Sequence, residues 1–239
     1  SCSIYRCRLP TEWLSAKQCR AFPRVGRTGL HYAAAREHGE IVSGPRVLFV
    51  TARDPAGESG GGATAARSVI DTLSRPPIRA RVEVIPLRAR PSFFPRPLQQ
   101  GAALVRGAIA RQPAKALFDA PVGRLAAIAQ RLTAPAADHV IINGGELFGL
   151  ARFLPSGQSA LAVAHNVESV LYAAQTKRLR RIPLIGAWFT RDLARLEYAE
   201  REGLKRIGRV LCLSLEDAAI LRKSVSGLAT LAQPTTFAY

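Results

Sequence analysis

The stretch that decides the fold is RVLFVTARDPAGESGGGATAARSVIDTLS, residues 46–74. It begins with a short apolar, β-branched run, which is typical of a strand buried on both faces of a parallel sheet. A loop with three consecutive glycines follows, and the next segment places Ala66, Val69, Ile70 and Leu73 on one face of a helix. This strand–loop–helix unit predicts an α/β fold.

The same alternation of strands and helices continues along the chain. We predict four further strands, the last of which completes the sheet: RVEVIPL (81–87), HVIIN (139–143), SALAVAHN (159–166) and RVLCLS (209–214). Helices are predicted at about 98–111, 115–132 and 187–207, and another begins at Ser214, where Asp217 completes an acidic variant of the capping box. This order predicts one doubly wound, Rossmann-like domain with a mainly parallel sheet covered by helices on both faces.

The ends of the chain differ from this regular region. Residues 1–44 show no sustained strand or helix periodicity, so we expect an irregular, poorly ordered extension before the domain. The domain itself is predicted at 45–230 and is followed by a tail at 231–239. The sequence contains no methionine, which fits a fragment or a processed product.

The chain is strongly basic. Its 239 residues include 34 Lys and Arg against 17 Asp and Glu, a net charge of +17. Such a surplus favours nucleic acid, anionic lipid headgroups or nucleotides as partners, unless it only reflects an arginine-rich composition. The densest cluster, KRLRR, has no interleaved aromatic residue to stack on bases. Its cations are Lys177, Arg178, Arg180 and Arg181.

Several classes of protein and site are excluded at this stage. No stretch reaches the roughly 18 consecutive apolar residues that a membrane-spanning helix needs, and the amino terminus lacks the pattern of a secretory signal. We therefore expect a cytoplasmic protein with free thiols. The four cysteines, Cys2, Cys7, Cys19 and Cys212, form no C-x-x-C pair, so we predict no metal site.

The glycine loop, formed by Ser59, Gly60, Gly61 and Gly62, is the first candidate binding site. Ligands of open α/β sheets bind at the carboxyl ends of the strands, where this loop lies. Glycines let the backbone approach a ligand closely, and the N–H groups of a helix amino terminus attract an anion, so a phosphate or diphosphate is the expected occupant. Neither the G-x-G-x-x-G nor the P-loop fingerprint is present, and the alternative is a flexible turn that merely tolerates glycine.

A second candidate lies at the end of the fourth predicted strand, in AHNVESVL. By the same topology, His165 and Asn166 project into the crevice that holds the glycines. A lone histidine is more often structural than functional, and a strand-end asparagine is often a turn residue. Two polar side chains that follow an apolar strand at this edge nevertheless favour a ligand-binding role.

Together, these stretches resemble the amino-terminal half of GT-B retaining glycosyltransferases of the group 1 or family 4 type. The similarity covers about residues 46–223, with an SGG loop, an HNVES strand end, a long helix containing LARLEYAE, and a strand leading into SLEDAAIL. The resemblance implies transfer of a sugar from a nucleotide-sugar to a saccharide or lipid-linked acceptor, with no cofactor.

The resemblance also implies roles for individual residues. The glycine loop would lie against the donor diphosphate, and His165 would act as the catalytic residue near the transferred sugar. Asn166, Glu168 and Ser169 belong to the same motif and would contact the sugar or the acceptor. The KRLRR cluster would face anionic acceptors or lipids, giving a peripheral contact with the inner membrane face.

Two departures from the family pattern bear on activity. The family often has an acidic residue two positions before the histidine, and Val163 stands there in this chain. The donor-binding second domain, with its characteristic pair of carboxylates, has no counterpart in this sequence. We therefore expect a truncated half with little or no activity alone, unless a separate chain supplies the second domain.

Two other functions remain open from the sequence. One is a non-catalytic basic protein that binds nucleic acid or an anionic membrane surface, with a basic face away from the crevice and an affinity that falls steeply with salt. The other is an enzyme of a different doubly wound family, such as an epimerase, which the HNVES stretch disfavours.

Overall fold

The computed structural model describes residues 44–57, 60–88, 101–103, 105–107, 112–117, 124–134 and 136–233. The predicted extension at 1–44 lies outside the described residues except for Gly44, and so does the predicted tail beyond residue 233. The strands are β1 (Arg46–Arg53), β2 (Arg81–Arg88), β3 (His139–Asn143), β4 (Ser159–Ala164), β5 (Arg209–Cys212) and β6 (Ala229–Ala232).

Helices occupy the connections between these strands. The α-helices are α1 (Gly61–Ser74), α2 (Ala114–Leu117), α3 (Arg124–Thr133), α4 (Glu168–Thr176), α5 (Ile185–Ile207) and α6 (Leu215–Ser224). Two 3-10 helices cover Gly145–Phe153 and Leu179–Arg181, and residues 101–103 and 105–107 are also helical. Residues 98–100, 104 and 108–111 of the first predicted helix and 118–123 of the second lie outside the described residues. Among the helices that the structure describes, none is both long and apolar enough to cross a bilayer.

The six strands form one parallel sheet in the order β2-β1-β3-β4-β5-β6. The predicted fold class, a doubly wound α/β domain with a parallel sheet, is therefore confirmed. The prediction that the strand at 209–214 completes the sheet is wrong, because β6 pairs with β5 beyond it. The four residues of β6, ATLA, are only partly buried at the sheet edge, so they lack the apolar run that identifies a central strand.

The first strand shows why this sequence forms a two-faced core. Its residues alternate between the faces: Leu48 and Val50 belong to one apolar cluster, while Val47 and Phe49 belong to the other. On the second face, α1 buries the four side chains predicted from its periodicity, Ala66, Val69, Ile70 and Leu73. Helices α3, α5 and α6 contribute to the first face.

Helix α5 is the longest element and carries three predicted core leucines, Leu193, Leu196 and Leu204, all of them buried. Its carboxyl-terminal half lies very close to the 3-10 helix Gly145–Phe153, since a β-carbon on Gly203 would clash with the carbonyl oxygen of Phe148. The helix ends at Gly208, which has a left-handed φ of 73°. The close approach of Gly203 to Phe148 fixes the carboxyl-terminal half of α5 against the 3-10 helix.

Candidate functional site

The site lies where β1, β3 and β4 end side by side. The sheet register pairs Thr51 of β1 with Asn143 of β3, and Asn143 with Val163 of β4. The glycine loop leaves β1 and His165 follows β4, so the topology brings both candidates to one edge. Because only β3 separates β1 from β4, the two strands are about 10 Å apart in the sheet. The boundary between β1 and β3, where the strand order reverses, is the place at which doubly wound folds bind ligands.

The glycine loop ends in an open helix amino terminus. Gly60 precedes α1 with a φ of 127°, a conformation that side chains rarely adopt. Among the described residues, no side chain caps the helix and no acid lies in its first turn, and Gly60, Gly61 and Gly62 are exposed. The positive end of α1 therefore faces solvent at these glycines. Ser59, predicted as part of this loop, lies outside the described residues.

An arginine that sequence reasoning missed holds the described part of this loop. Arg67 on α1 donates to the carbonyl oxygen of Pro55 (2.6 Å) and to the hydroxyl of Thr64 (3.1 Å). On the strand side, the Asp54 carboxylate accepts from the N–H of Ala56 (3.0 Å), forming an Asx-type turn. Residues 54–56 are thus held by a contact within the turn and by a side chain of α1.

His165 is held by a chain of hydrogen bonds that crosses three strand ends. Its Nε2 lies 2.9 Å from Oδ1 of Asn143, whose Nδ2 donates to the Thr51 hydroxyl (3.1 Å). Because Oδ1 can only accept, Nε2 of His165 carries the proton and Nδ1 of the neutral ring is an acceptor. Asn143 and Thr51 were not predicted, although their places at the ends of two apolar strands could have indicated them.

The other ring nitrogen of His165 has no described partner. Nδ1 is buried and accepts no hydrogen bond from the described residues. Burial lowers the pKa of His165 below 6.5, against the opposing effect of the nearby Glu168 carboxylate. The shift favours the neutral ring, whose Nδ1 is then an unpaired acceptor enclosed by the protein.

The remaining residues of the HNVES motif differ in their surroundings. Asn166 is exposed beside His165, whereas Glu168 and Ser169 are buried. The Ser169 hydroxyl donates to the Glu200 carboxylate of α5 (2.6 Å), and the N–H of Glu168 donates to its other oxygen (3.0 Å). The side chain of Glu168 forms a buried ion pair with Lys115. The predicted contacts of these residues with sugar or acceptor stay predictions.

A second glycine pair supports this buried cluster. Gly144 has a φ of 112°, and a β-carbon on Gly145 would lie 2.7 Å from Cγ of Glu168 and 3.0 Å from Oε1 of Glu200. The chain after β3 must therefore be bare of side chains for α4 and α5 to meet there. The adjacent glycines in INGGE were the signal for this close approach, and sequence reasoning did not use it.

The predicted basic patch lies in the connection between α4 and α5. Lys177, Arg178 and Arg181 are exposed just after α4, while Arg180 donates to the carbonyl oxygen of Ala173 (2.8 Å). In the part of the chain that the structure describes, no group of three or more His, Cys, Asp or Glu side chains is placed to hold a metal ion. Cys212 is a buried free thiol, and burial raises its pKa to about 11.

The comparisons with known proteins add no family assignment. No protein-family model matches the sequence, and a search of curated proteins gave no match. The geometry of the sheet edge is therefore the basis on which a function can be argued.

Proposed function

We propose that this chain is the acceptor-side half of a nucleotide-sugar-dependent glycosyltransferase. The proposal rests on the sequence resemblance and on one structural observation: an exposed helix start with no cap among the described residues, and a histidine whose buried Nδ1 has no described partner, lie at the carboxyl ends of neighbouring strands. A nucleotide-sugar has chemistry that fits both features, because its diphosphate is an anion and its sugar carries hydroxyl donors.

The chemistry of transfer assigns a task to each feature. The diphosphate leaves as charge develops on its oxygens, and the N–H groups at the start of α1 stabilise that charge. Asn143 fixes the His165 ring through Nε2, and His165 accepts a hydrogen bond from a sugar hydroxyl through Nδ1 once movement of the surrounding side chains uncovers this buried atom. These contacts orient the sugar for attack by the acceptor. Binding of the base and ribose is assigned to a second domain, as the resemblance implies.

The experiment is a calorimetric titration of the 239-residue chain with uridine and guanosine diphosphate sugars, at low and moderate salt. We expect weak, saturable binding that Gly60→Val and His165→Ala each reduce at least about tenfold, since 1.4 kcal/mol corresponds to a factor of ten. Gly60→Val removes the backbone conformation at the start of α1, and His165→Ala removes the unpaired acceptor.

Two matched variants serve as controls. Gly157 is exposed with a φ of 79° but precedes β4, and His139 is half-buried at the start of β3. Both lie at the amino ends of the strands, away from the crevice, so Gly157→Val and His139→Ala should bind like the parent chain. If all four variants bind equally, the crevice is not the site. If the sugars do not bind and DNA binds with a steep salt dependence, the basic nucleic-acid-binding alternative is favoured.

A further inference from the structure

Five large apolar side chains are exposed together around the start of α5. Leu184 is 87 % exposed and the other four are 41–47 % exposed. Most soluble proteins scatter such residues singly, and a contiguous group marks an interaction surface. We call this group the apolar tip; it consists of Leu179, Ile182, Leu184, Ile185 and Trp188.

The backbone conformation at Leu184 keeps this side chain, the most exposed of the five, in solvent. Leu184 has a φ of 66° and a ψ of −55°, and the N–H of Ile185 donates to the carbonyl oxygen of Pro183 (2.8 Å). This is a γ-turn of the rare, strained kind, which persists only where its surroundings impose it. The N–H of Gly186 donates to the carbonyl oxygen of Ile182 (2.6 Å), and a β-carbon on Gly186 would clash with the Arg180 carbonyl oxygen. These contacts hold the backbone of the apolar tip in a defined conformation.

Cations surround the apolar tip without acidic neighbours in the sequence. The segment KRLRRIPLIGAW, residues 177–188, contains four cations and no Asp or Glu. Lys177, Arg178 and Arg181 are exposed, and so is Arg191 one turn into α5. The nearest acid along the helix, Asp192, is buried and accepts from the Tyr172 hydroxyl (2.8 Å) and from the N–H of Ala114 (2.8 Å). The surface thus combines apolar side chains with a net positive charge.

An anionic lipid bilayer is the partner that fits both properties. Aliphatic and indole side chains insert at the boundary between headgroups and acyl chains, and basic residues beside them attract anionic headgroups. A nucleic acid would use the cations but would leave the aliphatic side chains in water, and it favours stacking aromatics that this segment lacks apart from Trp188.

The position of the tip relates it to the crevice. Helix α5 runs back to the start of β5, and its 23 residues span about 35 Å at 1.5 Å per residue. The six residues of β4 span only about 20 Å. The first turns of α5 therefore project beyond the carboxyl edge of the sheet, which is the edge that carries His165.

We propose that the apolar tip docks the protein on anionic membrane surfaces. Leu184, Ile185 and Trp188 enter the headgroup boundary, and the cations of residues 177–181 contact the lipid phosphates. Docking places the crevice beside the bilayer, where an acceptor anchored in lipid is in reach. The membrane contact itself does not depend on the proposed sugar transfer.

The test is flotation of the full chain with vesicles of phosphatidylcholine alone or with a third of the lipid replaced by phosphatidylglycerol. We expect binding to the anionic vesicles that weakens with salt, and a loss of at least about tenfold for Leu184→Asp and for the double variant Lys177→Glu, Arg178→Glu. The fluorescence of Trp188, measured in a Trp13→Phe background, should shift to the blue with anionic vesicles.

Matched variants away from the tip make the result specific. Leu215 on α6 is 62 % exposed, and Lys223 is an exposed cation on the same helix, so Leu215→Asp and Lys223→Glu should bind like the parent. Equal loss in the control variants, equal binding by Leu184→Asp, or no vesicle binding would overturn the proposal. So would a parent dimer that Leu184→Asp dissociates, since a second copy would then cover the tip. Because nucleotide-sugar titrations use no lipid, failure of this proposal is distinguishable from failure of the proposed transfer.

Discussion

Helices α1 and α4 both begin at the carboxyl ends of the strands, but the N–H groups at their starts have different surroundings. Helix α1 begins at exposed glycines, with no side-chain cap among the described residues and no acid in its first turn. Helix α4 begins in the interior, where the Glu200 carboxylate accepts from the N–H of Glu168 and from the Ser169 hydroxyl. The start of α1 has exposed N–H groups for an external ligand, and the start of α4 already has an acceptor from the protein itself, the Glu200 carboxyl.

The two helix starts therefore have different expected roles: the start of α1 in ligand binding, and the start of α4 in the stability of the fold. The HNVES motif contributes His165 and Asn166 to the crevice, whereas its Glu168 and Ser169 join α4 to α5. Variants of Glu168 or Ser169 should therefore change stability, and variants of the glycine loop should change ligand binding. The predictions that follow begin with the largest expected effect on stability and end with the smallest.

Gly145→Val should have the largest effect. The new side chain would meet Glu168 and Glu200 at 2.7–3.0 Å from its β-carbon and would push the carboxylate away from the start of α4. We expect the free energy of unfolding to fall by about 2–3 kcal/mol, as for overpacked cores. Gly62→Val is the matched control at the start of α1, where a β-carbon meets no described atom within 4 Å. Equal loss in urea denaturation for the two variants would contradict the difference between the helix starts.

Glu200→Ala should have the next largest effect. It leaves the Ser169 hydroxyl and the N–H of Glu168 unpaired in the interior. We expect a loss of about 2 kcal/mol in the free energy of unfolding, the sum of a lost cap and an unsatisfied buried group. Glu200→Gln keeps an acceptor and should lose less than half as much at neutral pH. Identical losses for Ala and Gln would show that the carboxyl oxygens do not cap α4.

The Glu200 carboxyl should also make stability depend on pH. Burial raises its pKa above 4.5, and the neighbouring Glu168 charge adds to this, while hydrogen bonds from Ser169 and the backbone oppose it. The folded protein therefore holds this proton more tightly than the unfolded chain. Its contribution to stability is full below pH 4.5 and is lost as the pH rises through the raised pKa.

The measurement is the free energy of unfolding of the parent and of Glu200→Gln at a series of pH values. Since the variant has no such proton, the stability of the parent relative to the variant should fall as the pH rises from about 4 to about 8. A relative stability that rises with pH would mean that the hydrogen bonds outweigh burial. The ionised carboxylate would then be the favoured state.

Much of the fold followed from local patterns in the sequence. The apolar run of β1 and the helical period of α1 gave the α/β class and four core residues, because burial on both sheet faces requires such runs. The edge strand β6 was missed since partial burial leaves a weak pattern. The sharp turn at Leu184 was not predictable either, because leucine has no preference for positive φ.

The places of the candidate residues in the fold were predictable, and their contacts were not. Strand ends gave the places of the glycine loop and of His165. The partners of His165 and Ser169, which are Asn143 and Glu200, lie 22 and 31 residues away in the chain. A single sequence carries no signal for such pairings, so the structure was needed to separate Asn166, which is exposed, from the buried end of the same motif.

Gly62→Asp should have the smallest effect on stability, and it is the most direct test of the difference between the starts of α1 and α4. Gly62 is the second residue of α1, and an acid there meets the positive end of the helix. We expect the free energy of unfolding to rise by about 0.5–1 kcal/mol, and diphosphate binding by calorimetry to weaken at least about tenfold. Gly62→Asn is the control without charge.

The two variants distinguish an open anion site from a merely exposed turn. If Asp weakens diphosphate binding and Asn does not, charge at the start of α1 decides binding, and the variant has given α1 the kind of internal anion that Glu200 gives α4. If both weaken it equally, the bare backbone of the glycines is what the ligand needs. If neither does, the diphosphate is not at α1, and because Glu200 occupies the start of α4, neither helix start is then the anion site.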